Sequence, residues 1–378
     1  MRIALDVSIL QAPRTGIGEY TLQLGLALQQ LPELDLHLFD GLGWRRDFPA
    51  AARPGYSTLR KIIRSALPGA YRIRRKVMQR RFDNGAGLVQ PQLYHNPTLW
   101  PLHFDGPTVM TLHDLTHVHY PDTQTVDRLR EIERRLPESL ERASRIMVDS
   151  HFIADEAIRH YSLPAEKLQI APLGVADRFR PRNEEELQHR LAAMQLKMRS
   201  YYLCIGTLEP RKNLQLAINA YLGLPAAIRN RMPLLIVGGS GWRQEQMDKI
   251  PAKAMADSQI RLLGYQSEEQ VAELLAGAQA LLFPSRYEGF GLPVLEAMAS
   301  GTPVITCRNA AIPEVAGEAA LYAEPDDMEG FRAQMLRLLE DAQLQCTLRQ
   351  QGLARAGLFS WKNCARITAD TYKAARCS

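Results

Sequence analysis

The stretch RYEGFGLPVLEAMASGTPV, residues 286–304, places Glu288 ahead of a glycine-rich turn and Glu296 inside the helix that should follow it. Pro293 suits a first helical turn, Gly289 and Gly291 permit close backbone approach, and Gly301 fits a helix C-terminus. On either side, ALLFPS and PVITC have the continuous apolar character of strands buried on both faces. Strand, loop, helix and strand in this order predict a parallel sheet, and such sheets bind ligands at the carboxyl ends of their strands. Glu288 lies at such an end and Glu296 about one helical turn further on. There they can accept hydrogen bonds from sugar or ribose hydroxyls. Alternatively, Glu288 caps a loop and Glu296 is an exposed helix residue.

Working outward, YYLCIG, LLIVGG and IRLLGY are further strands, with helices beginning near Asn213, Gln244, Ser267 and Pro293. In TLEPRKNLQLAINAYL, Asn213 reads as an N-cap, which places Arg211 and Lys212 at the positive end of a helix. Two cations are unfavourable there unless an anion lies between them. One reading is a diphosphate site built from Arg211, Lys212 and backbone amides; the other is a pair of solvated surface cations. The first half alternates in the same way, with RIALDVS, LDLHLF, QLYHN, PTVMTLHDL and RIMVDS as strands. The expected fold is α/β: two Rossmann-like, doubly wound parallel-sheet domains facing across a cleft. The expected boundaries are 1–180, a polar linker at 181–199, 200–357, and an amphipathic helix at 358–378 packing back toward the N-terminal domain.

A chain of 378 residues exceeds one ordinary core, and 46% hydrophobic with 23% charged residues describes a soluble globular protein. No apolar run approaches the roughly 18–20 residues that span a bilayer. MRIALDVSIL enters a strand pattern at once, without signal-peptide character. Five scattered cysteines with no C-x-x-C pair argue for reduced thiols in the cytoplasm and against a thiolate zinc site. In HDLTHVHY, His113, Asp114, His117 and His119 are possible zinc ligands. They fall on a strand end and a loop rather than one helix face, so no metal site is expected.

The formal charge of +5 is local: residues 44–81 hold twelve Lys or Arg against one acid, and the remaining 34 basic and 40 acidic residues leave a net −6. Within LRKIIRSALPGAYRIRRKVMQRRF, apolar residues at helical spacing alternate with cations. Arg60, Lys61, Arg64, Arg72, Arg74, Arg75 and Lys76 suit an anionic membrane surface, at about 1 kcal/mol per nearby cation. The alternative is a helix packed on the first domain with a solvated basic face. Nucleic acid is disfavoured, because no aromatic platform is interleaved.

Taken together, GTLEPRKN (206–213), VGGSG (237–241), LLGY (262–265), FPSRYEGFGLPVLEAMASGTPVI (283–305) and IPEVAG (312–317) resemble the ordered pattern of the family-4 glycosyltransferases, retaining enzymes of the GT-B fold. RTGIGEY, VMTLHDL, VDSHF, APLGV and FSWKN extend the resemblance over most of the chain; it is weakest at 40–90. The resemblance implies that Arg211 and Lys212 bind a nucleotide diphosphate, that Glu288 contacts the donor sugar and that Glu296 holds ribose hydroxyls. Gly289, Phe290, Gly291 and Leu292 would bring backbone amides to phosphate and sugar. Gly206, Gly238, Gly264 and Tyr265 would line the donor site, and Gly16 and Gly18 the glycine loop of the first domain. His113 matches the active-site histidine, so the implied catalytic set is Glu288, His113, Arg211 and Lys212.

Such a site would work without a cofactor or metal, using the nucleotide sugar as co-substrate, and one fixed donor at the leaving group is typically worth about 2.7–4 kcal/mol. Overall resemblance to bacterial mannosyl- and rhamnosyltransferases of O-antigen assembly suggests GDP-mannose, or a GDP-deoxyhexose, as donor and a lipid-linked oligosaccharide as acceptor. That implies a peripheral enzyme on the cytoplasmic face of the inner membrane. A UDP-sugar donor is the alternative. An epimerase of the same fold or a catalytically silent nucleotide-sugar-binding protein are the competing functions.

Overall fold

The computed structural model describes residues 1–11, 16–49, 70–207, 209–238, 250, 252–257 and 259–377, with only the backbone of 70–72. Arg60, Lys61 and Arg64, the side chain of Arg72 and the helix expected near Gln244 therefore lie outside the described residues. The chain divides into two compact units, one of residues 1–117, 124–174 and 360–378, the other of 118–123 and 175–359.

Seven strands form the sheet of the first unit: β1 (Arg2–Asp6), β2 (Asp35–Phe39), β3 (Trp44–Arg45), β4 (Leu93–Asn96), β5 (Thr108–Leu112), β6 (Arg145–Val148) and β7 (Leu168–Ile170). Their order is β3-β2-β1-β4-β5-β6-β7, parallel except where β3 turns back antiparallel on β2. The helices of this unit include α1 (Gly16–Gln29), α2 (Ala70–Val89), α3 (Val126–Arg142) and α4 (His151–Tyr161). β4 and β5 are buried at every position, which requires cover on both faces and explains their uninterrupted apolar reading.

The second unit has β8 (Tyr202–Ile205), β9 (Leu234–Val237), β10 (Ile260–Gly264), β11 (Ala280–Phe283), β12 (Val304–Cys307) and β13 (Leu321–Ala323). All are parallel in the order β10-β9-β8-β11-β12-β13, the doubly wound dinucleotide-fold order with its switch point between β8 and β11. Its principal helices are α5 (Glu184–Ala193), α6 (Leu214–Leu222), α7 (Glu268–Gly277), α8 (Leu292–Ala299), α9 (Met328–Glu340) and α10 (Ala342–Ala356).

The expected linker at 181–199 is instead part of the second unit. Asn183 and Glu186 close a capping box on α5, and Leu187 and Leu191 are buried. Arg182 pairs with Glu269, and Arg190 Nε donates to Glu273 Oε2 at 2.7 Å, which ties the polar face to α7. A charged composition suggested a spacer, but Arg182 and Arg190 are partnered on α7 and Leu187 and Leu191 are packed beneath them.

The last helix, α11 (Trp361–Arg376), belongs to the first unit. Its start lies so close to Gly174 that a Cβ there would sit 2.1 Å from the Trp361 nitrogen. Further along, the Cys364 thiol faces the Ala171 carbonyl and the Tyr372 hydroxyl meets His95 Nδ1 at 2.7 Å. Among the described residues, no helix is long and apolar enough to cross a membrane.

α2 carries the described part of the basic segment. Phe82 is buried in an aromatic cluster with Phe39 and Tyr94, and Met78 packs against that cluster. Arg75, expected at a membrane surface, turns inward and donates to the carbonyls of Trp100 at 3.1 Å and Pro101 at 2.6 Å. A guanidinium's several donors suit two neighbouring backbone acceptors. Arg75 is a loop brace. The exposed face of α2 carries Ile73, Lys76, Val77, Arg80 and Leu88.

Candidate active site

The candidate site is built at the carboxyl ends of β8 and β11. After β8, Gly206 adopts φ +146, and a Cβ there would lie 3.7 Å from the Lys212 stem. Gly238 follows β9; a Cβ there would stand 2.1 Å from the Gly206 carbonyl oxygen, so only glycine lets these strand ends approach. The Gly238 N–H donates to the Gly264 carbonyl at 3.0 Å, which joins the three strand ends in a row. Tyr265, just beyond, is half exposed.

Arg211 and Lys212 lie in a single 3-10 turn before α6. Asn213 does not cap that helix as expected. It adopts a left-handed conformation, makes no side-chain cap bond, and donates from Nδ2 to the Pro325 carbonyl at 2.8 Å. The turn is held instead by the β11 loop: Arg286 N–H and the Ser285 hydroxyl both donate to the Arg211 carbonyl, at 2.7 and 3.1 Å.

The anion between the two cations is Glu288. Lys212 Nζ stands 2.6 Å from its Oε1 and Arg211 Nη1 3.2 Å from its Oε2. Ser285 adds a hydroxyl bond at 2.6 Å, and Arg211 Nε donates to Glu209 at 2.9 Å. Burial by itself lifts the Glu288 carboxyl, but the Lys212 and Arg211 charges outweigh it and hold the group below its ordinary value. Burial pulls the Lys212 ammonium down, Glu288 opposes this, and Arg211 adds to it. On balance the Lys212 ammonium lies below its ordinary value, with Glu288 countering part of the burial effect. Ser285 and Glu209, for which the sequence suggested no role, complete the cluster; the signal lay in their position three residues before Glu288 and two before Arg211.

The same loop leads into α8. Gly291 at its N-cap has φ +105, a conformation strained for any residue with a Cβ, and a Cβ there would also press on the Ile312 side chain at 2.6 Å. No side chain caps α8, and first-turn N–H groups have no acceptor within their own helix. Phe290 is buried against Phe359. Glu296 lies half-buried one turn inside α8.

His113, Gly16 and Gly18 belong to the first unit. Gly16 and Gly18 open α1. His113 follows β5 and points its Nδ1 at Asp149 Oδ2, 2.6 Å away, and its Nε2 at the Pro97 carbonyl, 3.2 Å away. Tyr20 of α1 meets the ring edge-on, with centroids 4.5 Å apart. Burial lowers the histidine's pKa, but the charge and hydrogen bond of Asp149, together with Asp114 and the Pro97 carbonyl, raise it on balance. The ring is thus hydrogen-bonded at both nitrogens within its own unit. Asp114 accepts the Thr116 N–H, and His117 pairs with the Tyr161 hydroxyl at 2.6 Å. Among the described residues no three metal-ligating side chains converge.

Two family models match the chain, Glycosyltransferase Family 4 over residues 14–179 and Glycosyl transferases group 1 over 192–355. The chain is also 34% identical to O-antigen chain mannosyltransferase B of Escherichia coli, over 99% of this chain and all of that protein. The chain belongs to glycosyltransferase family 4. Sucrose-phosphate synthase from Thermosynechococcus elongatus superposes with a TM-score of 0.75 at 22% identity, covering 98% of each chain. HepE from Anabaena, in complex with UDP-glucose, superposes at 0.72 with 16% identity over 99% of each chain. The fold of this glycosyltransferase is GT-B, with two parallel, doubly wound sheets.

Proposed function

We propose that this glycosyltransferase moves mannose, or a related deoxyhexose, from a GDP-sugar to a hydroxyl of a lipid-linked oligosaccharide, with retention of configuration. The observation that carries the reading is the Arg211–Lys212–Glu288 cluster beside the uncapped start of α8, at the switch point of the second sheet. The full-length similarity to an O-antigen chain mannosyltransferase favours mannose. Arg211, Lys212 and the first-turn amides of α8 supply positive charge where a diphosphate leaves, so the proposal includes no divalent cation. The bond from the sugar's anomeric carbon to the diphosphate breaks, and the acceptor oxygen bonds to that carbon on the same face. The acceptor proton passes to the departing phosphate oxygen.

A UDP-sugar donor is the second reading, favoured by the GT-B neighbour crystallised with UDP-glucose. Thermal unfolding against GDP-mannose, GDP, UDP-glucose and UDP separates the two. A ligand at 100 times its dissociation constant adds about 2.7 kcal/mol of stability. Stabilisation by the guanine ligands alone is expected, stabilisation by the uracil ligands alone selects the second reading, and no response to any sinks the donor site.

We also propose that the exposed face of α2, with Ile73, Val77 and Leu88 beside Lys76 and Arg80, rests on the anionic cytoplasmic leaflet where a lipid-linked acceptor is presented. Sedimentation with anionic vesicles at low salt, lost with neutral vesicles, is the expected result. Protein that stays in the supernatant in both cases refutes it.

A further inference from the structure

The first unit contains a buried pair, His113 and Asp149, whose geometry restricts where its proton lies. The Pro97 carbonyl can only accept, so His113 Nε2 must carry a hydrogen. One further proton lies between Nδ1 and Asp149 across 2.6 Å. Either the ring is an imidazolium facing a carboxylate, or a neutral ring accepts from a protonated acid. Burial raises the Asp149 carboxyl above its ordinary value, and the charge and hydrogen bond of His113 offset this only in part.

The surroundings favour the imidazolium. Asp114 lies beside the ring on the end of β5 and adds negative potential. Tyr20 from α1 donates or accepts only through its hydroxyl, which is 3.1 Å from Thr111 Oγ1, and it turns its ring rather than its oxygen to His113. On β4, His95 is held between Thr111 and Tyr372, and burial followed by the charge of His113 keeps it neutral, with its pKa lowered to about 3. From α11, Cys364 presents a thiol whose burial keeps it protonated. Among the described residues, the charged groups acting on the ring are therefore Asp149 and Asp114, both acidic.

We propose that Asp149 is a positioning residue that holds His113 as a permanent imidazolium, both ring nitrogens engaged within the unit, so that His113 serves transfer as a fixed cation and not as a proton-transfer base. The clamp joins three strand ends: Pro97 after β4, His113 after β5 and Asp149 after β6. It also lies against Tyr20, one turn into the helix opened by Gly16 and Gly18. The cation's part in transfer rests on the donor reading above, whereas the state of the ring does not.

The first test is therefore made on the ligand-free, full-length protein labelled with 15N-histidine, with His113→Gln used to assign the signal. Both His113 nitrogens should stay protonated from about pH 6 to 8, where an ordinary histidine loses its proton. A ring with one protonated nitrogen at the upper end, or a titration near the ordinary 6.5, overturns the proposal. No donor is needed, so the outcome is independent of the donor assignment. The second test is Asp149→Asn. Its His113 should lose its ring charge at a lower pH than in wild type, because burial then acts without the carboxylate that offsets it, and kcat should fall about tenfold at pH 8 and recover progressively as pH is lowered, with KM little changed. A kcat ratio that does not vary with pH overturns the role in transfer. If that variant does not fold, the wild-type spectrum still decides the state of the ring.

Discussion

The carboxyl ends of the two sheets occupy equivalent places in the same doubly wound topology, yet they treat their cations differently. In the second unit Lys212 offers three donors, of which Glu288 takes one among the described residues. In the first unit His113 offers two, and Asp149 and the Pro97 carbonyl take both. Exposure does not separate them, since the Lys212 and His113 side chains are 15% and 13% exposed. What differs is the balance of donors and acceptors. A cation with donors to spare can meet an incoming phosphate without first losing a partner. One whose donors are all engaged contributes charge and position.

The comparison can be broken at Glu288, where the largest effect is expected. Glu288→Gln leaves Arg211 and Lys212 adjacent and largely buried without their shared carboxylate, and losing one partner of a buried pair costs about 3–5 kcal/mol. Thermal or denaturant unfolding measures this. Because the folded Glu288 titrates below its ordinary value of 4.5, its contribution is complete above that value and lost only as pH falls through the lower folded one. The stability difference between wild type and variant should therefore narrow in acid. A constant difference across that range would mean that the carboxylate's charge is irrelevant.

Lys212→Met sharpens the other side of the comparison. It keeps an unbranched apolar stem beside Gly206 but removes every donor, together with the ammonium that lies over the Phe283 ring. If the ammonium serves the leaving diphosphate, transfer should fall by about 2.7–4 kcal/mol in barrier, or roughly 10²–10³ in rate. Folding stability should change less than in Glu288→Gln, because Glu288 keeps Arg211 and Ser285 as partners. Initial rates within a few-fold of wild type would show that spare donors at this position do not define the site. Asp149→Asn is the matching substitution in the first unit, where a smaller, pH-dependent loss is expected.

Much of this was legible in the chain. Short apolar runs alternating with amphipathic stretches specify parallel strands and covering helices, and the spacing of Gly289, Gly291, Pro293 and Gly301 marks the loop and helix beside the site. The pairing of Arg211 with Lys212 also drew attention, because two cations before a helix need an anion. Which anion was not legible. Glu288 is 76 residues from Lys212 and 77 from Arg211, and Asp149 is 36 from His113. Sequence spacing carries no information on such encounters; strand order and register create them.

Residues 181–199 were misread for a related reason. Their charges suggest solvent, but each of Arg182 and Arg190 has a carboxylate on α7, and the helix buries leucines between them. The expected cap at Asn213 failed because its side chain found a carbonyl 112 residues away. Local pattern determined which segments become strands and helices, since periodicity and backbone stereochemistry act over a few residues. Partner choice among buried polar groups was decided only by the tertiary structure. Burial removes water as the alternative partner, so each group takes the donor or acceptor that the fold brings within reach.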